Sequence, residues 1–111
     1  MILVDLNPIV GAEAAKRRPS VVVSNDAANR SAVSRGRGVI TVAPVTSNTT
    51  RVYAFQVLLP ADPVSGLAVA SKCQAEQIRS IDVTRVQRRL GSLTPDQLRQ
   101  LDAAIRLHLD L

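Results

Sequence analysis

What most restricts the folding of this chain is the brevity of its apolar runs. Ile2 to Leu6, Ser20 to Ser24, Val39 to Val45 and Val52 to Leu59 are short β-branched or alternating stretches, each bounded by Pro, Gly, Asn or Asp. Runs of this length suit strands, and the residues between them suit turns. Gly66 to Ile81 reads as a further hairpin. Ala27 to Gly38, with Arg30, Arg35, Arg37 and two glycines, reads as a mobile polar connection too long for a tight turn.

Only the last segment has the marks of a helix. Thr94-Pro95-Asp96-Gln97 combines an N-cap, a proline at the first helical position and a glutamine that closes a capping box, with Leu93 and Leu98 spaced as a hydrophobic staple. Leu98, Leu101, Ile105 and Leu109 then recur at helical spacing and form one apolar face. Many short strands followed by one helix predict a mainly β, α+β domain, a small bent antiparallel barrel with a helix laid against it. At 111 residues the chain has room for one modest core, hence a single domain over residues 1–111.

A formal net charge of +5 calls for a polyanionic partner, either nucleic acid or an acidic protein segment. A membrane surface would select a basic amphipathic helix, which the chain lacks. No run approaches the roughly 18–20 apolar residues of a membrane span, and the N-terminus has no basic stretch leading into an apolar signal segment. The expected location is the cytoplasm, in keeping with a single cysteine, Cys73, that permits no internal disulfide and reads as a small core residue on a strand.

The chemistry concentrates where Lys16-Arg17-Arg18-Pro19 runs into Ser20-Val21-Val22-Val23-Ser24-Asn25-Asp26. Pro19 donates nothing to a sheet ladder and biases Arg18 toward extended geometry, so the basic side chains are expected at the mouth of a strand, placed to receive a phosphate. Val42-Ala43-Pro44-Val45-Thr46-Ser47-Asn48 repeats the design, a strand closing in hydroxyl and amide donors. Gln74-Ala75-Glu76-Gln77-Ile78-Arg79-Ser80-Ile81-Asp82 supplies a third such segment.

With Val4-Asp5-Leu6-Asn7-Pro8, Gly11-Ala12-Glu13, Phe55-Gln56-Val57-Leu58-Leu59-Pro60, Gly66-Leu67 and Arg89-Leu90-Gly91 in the same order, these segments make nearly the whole chain resemble the MazF/PemK group of toxin ribonucleases. These are the messenger-RNA interferases of bacterial toxin–antitoxin pairs. One departure stands out. Family members open their first strand with Arg-Gly-Asp/Glu-hydrophobic-Trp, whereas Met1-Ile2-Leu3 begins partway along it, so the first strand is expected to be truncated and short of an aromatic side chain.

The resemblance implies the Src-homology-3-like (SH3-like) barrel of the MazF, PemK and CcdB toxins. It also implies metal-independent, cofactor-free and sequence-selective cutting of single-stranded RNA: messenger, ribosomal or transfer. Attack by the 2′-hydroxyl would leave a 2′,3′-cyclic phosphate and a 5′-hydroxyl. A two-histidine mechanism is closed to a chain whose one histidine, His108, lies near the end of the final helix. The work then falls to arginine, carboxylate and hydroxyl groups. By resemblance Arg18 stabilises charge on the phosphorane, Thr46 donates to a phosphate oxygen with Ser47 assisting, and Glu13 or Glu76 acts as base, with Glu13 preferred and an ion pair to Arg79 open for Glu76.

Lys16, Arg17 and Arg37 are expected to attract phosphates, and Ser47, Asn25, Arg79 and Tyr53 to complete the RNA-binding set, with Phe55 in the core two residues along one strand face from Tyr53. No metal site is expected. The resemblance further implies a homodimer and a cognate acidic MazE-like antitoxin whose disordered tail covers the RNA site. Two other readings use the same barrel: a non-enzymatic CcdB-like toxin that poisons gyrase, and an inactive paralogue that only binds antitoxin. Neither would need Arg18 or Thr46.

Overall fold

The computed structural model describes residues 1–5 and 17–111. Its order is β1 (Ile2–Asp5), β2 (Arg17–Val22), α1 (Asp26–Arg35), β3 (Val39–Thr46), β4 (Gln56–Leu59), β5 (Ser71–Gln74), β6 (Arg79–Asp82), β7 (Val86–Arg89) and α2 (Pro95–Leu109). The seven strands form an antiparallel sheet in the order β4-β5-β3-β2-β1-β7, with β6 also on β3. A mainly β sheet with a C-terminal helix is the expected class.

β3 explains most of this arrangement. Its run Ile40-Thr41-Val42-Ala43-Pro44-Val45 is almost unbroken in apolar residues, which suits a strand buried on both faces rather than one. Ile40 and Val42 enter one cluster with Val4, Ala32 and Ile81, while Ala43 and Val45 enter a second with Val21, Val57, Leu59, Cys73, Leu101 and Ala104. One edge of β3 pairs with β2; the other pairs with β6 through Val39–Val42 and with β5 through Val45 and Thr46. The hairpin expected over Gly66–Ile81 is therefore replaced by two strands, β5 and β6, that do not pair with each other but share β3, joined by a short 3₁₀ turn over Ala75–Gln77.

The segment read as a mobile connection is helix α1. Only Ala32 of this helix is buried, so it has no apolar stripe, and its signals lie at its ends. The Asn25 side chain accepts from Ala28 N at 2.9 Å, and Gly36, at φ 65°, closes the C-terminus with its N–H on the Ala32 and Val33 carbonyls. Asn29 Nδ2 donates to the Ser24 carbonyl at 2.8 Å, tying the helix to the end of β2. The expected strand over Val52–Leu59 is also shorter, since only Gln56–Leu59 is extended in the sheet.

Helix α2 begins as expected: Gln97 N donates to Thr94 Oγ1 at 3.1 Å and Thr94 N to Gln97 Oε1 at 2.9 Å, with Pro95 in the first turn. It seats through the middle of its apolar face only. Leu101 and Ala104 are buried and Ile105 packs beside them, against β4 and the 3₁₀ turn, whereas Leu98 and Leu109 stay substantially exposed. Leu93 packs on the core, and Leu98, spaced from it as a staple, is 43% exposed.

Two glycines fix the loop between β4 and β5. A Cβ on Gly66, whose φ is +84°, would lie 2.4 Å from the Leu90 carbonyl oxygen, and one on Gly91 would lie 2.1 Å from that of Val64. Ser92 N donates to Val64 O at 2.9 Å across the same contact. The Gly66-Leu67 and Arg89-Leu90-Gly91 motifs are thus two halves of one backbone contact. Gly91→Ala is expected to destabilise the protein by about 1–3 kcal/mol in denaturant unfolding; an unchanged midpoint would mean that this contact yields freely.

Candidate functional site

The β2–β3 pairing sets Ser20 opposite Pro44, so the chain enters β2 through Arg17 and Arg18 beside the end of β3, where Thr46 and Ser47 lie. On the other side of β2, Leu3 of β1 pairs with Pro19 and also with Arg88 of β7. Together with the Gly66–Val69 loop these strand ends enclose a cleft of ≈ 430 Å³. Leu3, Pro19, Val45, Leu67 and Leu90 give it an apolar lining, to which Arg17, Arg18 and Arg88 bring guanidinium groups and Thr46, Ser47 and Ser71 hydroxyls.

Neither Arg17, Arg18 nor Arg88 makes a salt bridge with a carboxylate among the described residues. Arg18 is half-buried, and burial holds its pKa below the usual guanidinium value. A guanidinium partly withdrawn from water without a counter-charge is unfavourable unless an anion completes it. The cleft therefore combines guanidinium groups that no carboxylate among the described residues neutralises, hydroxyl donors that suit phosphate oxygens and an apolar surface.

The expected site residues divide cleanly. Arg17, Arg18, Thr46 and Ser47 meet in the cleft. Glu13 and Lys16 lie outside the described residues. Glu76 does not line the cleft: it sits in the 3₁₀ turn, its Oε2 accepting from Gln56 Nε2 at 2.5 Å and its Oε1 buried without a partner, and no ion pair to Arg79 forms. Asn25 caps α1, Arg37 follows the end of that helix and Arg79 opens β6 opposite Val42, all apart from the cleft lining. Tyr53 and Phe55 are not on a strand; they stack in the turn before β4.

Arg88 and Ser71 were not singled out in the sequence. Arg88 belongs to a strand, Val86-Gln87-Arg88-Arg89, with one apolar residue and no strand signal of its own, and only its pairing with β1 brings it to the cleft. Cys73 is fully buried with its Sγ donating to the Ala43 carbonyl at 3.7 Å, and takes no part in the cleft.

An antiparallel sheet that gathers arginines and strand-end hydroxyls around an apolar-lined cleft defines a small, mainly β protein with a basic cleft. A family model described as "PemK-like, MazF-like toxin of type II toxin-antitoxin system" matches residues 1–109, and the chain belongs to that family. It is 58% identical over 108 residues to "Endoribonuclease MazF9" of Mycobacterium tuberculosis, spanning 97% of this chain and 91% of that protein. Among solved structures, MazF from Deinococcus radiodurans superposes with a TM-score of 0.77 at 28% identity over 99% of this chain and 92% of its own. The Mycobacterium tuberculosis toxin MazF-mt6 gives 0.76 at 26% identity, over 99% and 95%.

The Cys73 thiol is pushed up to about 12, first by burial and then by the charge of Glu76, against a smaller opposing hydrogen bond from the Gln74 backbone. The folded value lies above the ordinary 9.0, so its contribution to stability is complete below pH 9 and is lost as pH rises toward 12. Guanidinium denaturation between pH 8 and pH 11 is expected to show a steeper loss of stability for the wild type than for Cys73→Ala. Parallel curves would remove the thiol from the alkaline transition.

Proposed function

We propose that this cleft is the active centre of a metal-independent endoribonuclease that cuts single-stranded RNA by attack of the ribose 2′-hydroxyl on the adjacent phosphate. The observation that carries this reading is the half-buried Arg18, without a carboxylate partner among the described residues, beside Thr46 and Ser47 in one cleft. In the pentacovalent transition state the nonbridging oxygens gain negative charge, and the planar fork of Arg18 suits two of them, with the Thr46 hydroxyl donating alongside. Arg17 and Arg88 hold neighbouring phosphates. The apolar lining takes an unpaired base, which a duplex would keep stacked and hidden. Glu13, on the connection from β1 to β2, is the proposed base.

Membership in a toxin–antitoxin family supports an acidic antitoxin as the natural partner, bound to the same basic cleft and excluding RNA from it. A homodimer is supported by a second, apolar groove of ≈ 650 Å³ lined by Ile2, Val22, Val33, Ile40, Val83 and Val86, of which Val33 is 68% exposed. A second copy covering this groove would remove those side chains from water. Sedimentation is expected to give a dimer that Val33→Asp returns to monomer; a wild-type monomer at all concentrations would dismiss the pairing. No helix among the described residues is long and apolar enough to cross a membrane, and the proposed substrate places the protein in the cytoplasm.

Incubation with a long unstructured RNA in excess EDTA is expected to give discrete cuts with cyclic-phosphate ends, lowered roughly 100-fold or more in folded Arg18→Ala. Cutting by Arg18→Ala at the wild-type rate would overturn the assignment, and toxicity that survives in that variant without cleavage would favour a protein-binding toxin. Arg88→Ala is expected to keep kcat and to flatten the dependence of log K on log salt by about 0.7, the share of one phosphate on a single strand. Excess acidic antitoxin peptide should stop cutting without unfolding the protein.

A further inference from the structure

The chain holds one tyrosine, one phenylalanine, no tryptophan and one histidine, and its buried clusters contain none of them. All three rings stand in one column outside the cleft. Tyr53 and Phe55 are stacked with centroids 5.3 Å apart and planes 8° apart, and Phe55 meets His108 of α2 at 5.8 Å and 48°. The guanidinium of Arg51 lies 5.7 Å from the Tyr53 centroid, and its Nη1 donates to the Tyr53 hydroxyl at 3.2 Å. Tyr53 nevertheless remains 46% exposed.

The segment that bears this column is fixed from beneath. Lys72, buried in β5 with 8% exposure, ends its ammonium on the Arg51 carbonyl at 2.6 Å. Placing an ammonium there is unfavourable unless it is satisfied, and its satisfied partner is the backbone under the column. Gln56 Oε1 accepts from Tyr53 N at 3.0 Å, Gln56 N donates back to the Tyr53 carbonyl at 2.9 Å, and Glu76 holds the Gln56 amide. A stacked ring pair capped by a guanidinium over Tyr53, preset by buried polar groups, fits a nucleobase better than an aliphatic side chain, because the guanidinium plane itself offers a stacking face. Base stacking needs a π-face and little else, and a guanidinium adds to it.

The column also lies on a path out of the cleft. Thr46 and Ser47 line the cleft, the chain continues from them directly to Arg51 and Tyr53, and Lys72 pairs with Thr46 across the sheet while holding Arg51. We propose that Arg51, Tyr53 and Phe55 form a base-stacking site for an unpaired nucleotide of single-stranded RNA that extends beyond the cut phosphate. This rests on the ribonuclease reading given above. The site is independent of base identity, so it sets the length of RNA engaged rather than the sequence cut.

Because Tyr53 is the only tyrosine and there is no tryptophan, intrinsic fluorescence reports on this site alone. The probes are non-cleavable 2′-O-methyl oligouridylates of four and twelve nucleotides, with binding followed separately by anisotropy of an end label. The longer probe is expected to quench Tyr53 and to bind about 5- to 100-fold more tightly than the shorter one, as stacking of one base allows. Tyr53→Leu should remove that length advantage, while Tyr53→Phe should keep it. Binding of the longer probe without quenching, an undiminished length advantage in Tyr53→Leu, or quenching only by an acidic antitoxin peptide would overturn the proposal. Loss of RNA cutting in the wild type would instead fail the ribonuclease reading, which the fluorescence experiment does not use.

Discussion

The double-sided burial of β3 is the constraint on which this structure depends. A strand with apolar residues at successive positions is stable only when both of its faces are covered, and here α2 closes one face through Leu101 and Ala104 while α1 and β1 approach the other. Its edges are equally committed, to β2 on one side and to β5 and β6 on the other. β3 ends at Thr46 beside the start of β2, so the same pairing that builds the core brings Thr46 and Arg18 to one cleft. The cleft is a consequence of how the central strand is shared.

Electrostatics then separates the roles of the charged groups. The cleft arginines have no carboxylate partner among the described residues, which suits groups meant to meet phosphate. Lys72 and Glu76 are turned inward instead, and their hydrogen bonds go to the Arg51 carbonyl and the Gln56 amide. Both thus support the turn that carries the aromatic column, so that the basic chain divides its polar residues between binding an anion and shaping the backbone beside it. Membership in a toxin–antitoxin family is in keeping with a surface that presents positive charge.

Much of the site was legible because its signals are local. The Arg18-Pro19 junction limits its own backbone, Thr46 closes a β-branched run, and Thr94 with Gln97 forms its capping box within four residues. What escaped had no local signal. Helix α1 has no apolar stripe and is marked only by Asn25 and Gly36 at its ends, and β7 shows neither alternation nor a turn that would fix its place. The register of β7 against β1, and with it Arg88, follows from long-range pairing that no short window contains.

By itself the sequence determined the class of fold, the final helix, the family and the Arg18, Thr46 and Ser47 core of the cleft, because residue periodicity, proline geometry and capping act over a few neighbours. Only the tertiary structure decided that β5 and β6 share β3, that Arg88 joins the cleft, that Glu76 serves a hydrogen bond outside it, and that the chain's two aromatic rings and its histidine stand in one surface column. Those outcomes depend on which distant strands meet and at what register, and that is set by burying β3 on both faces at once.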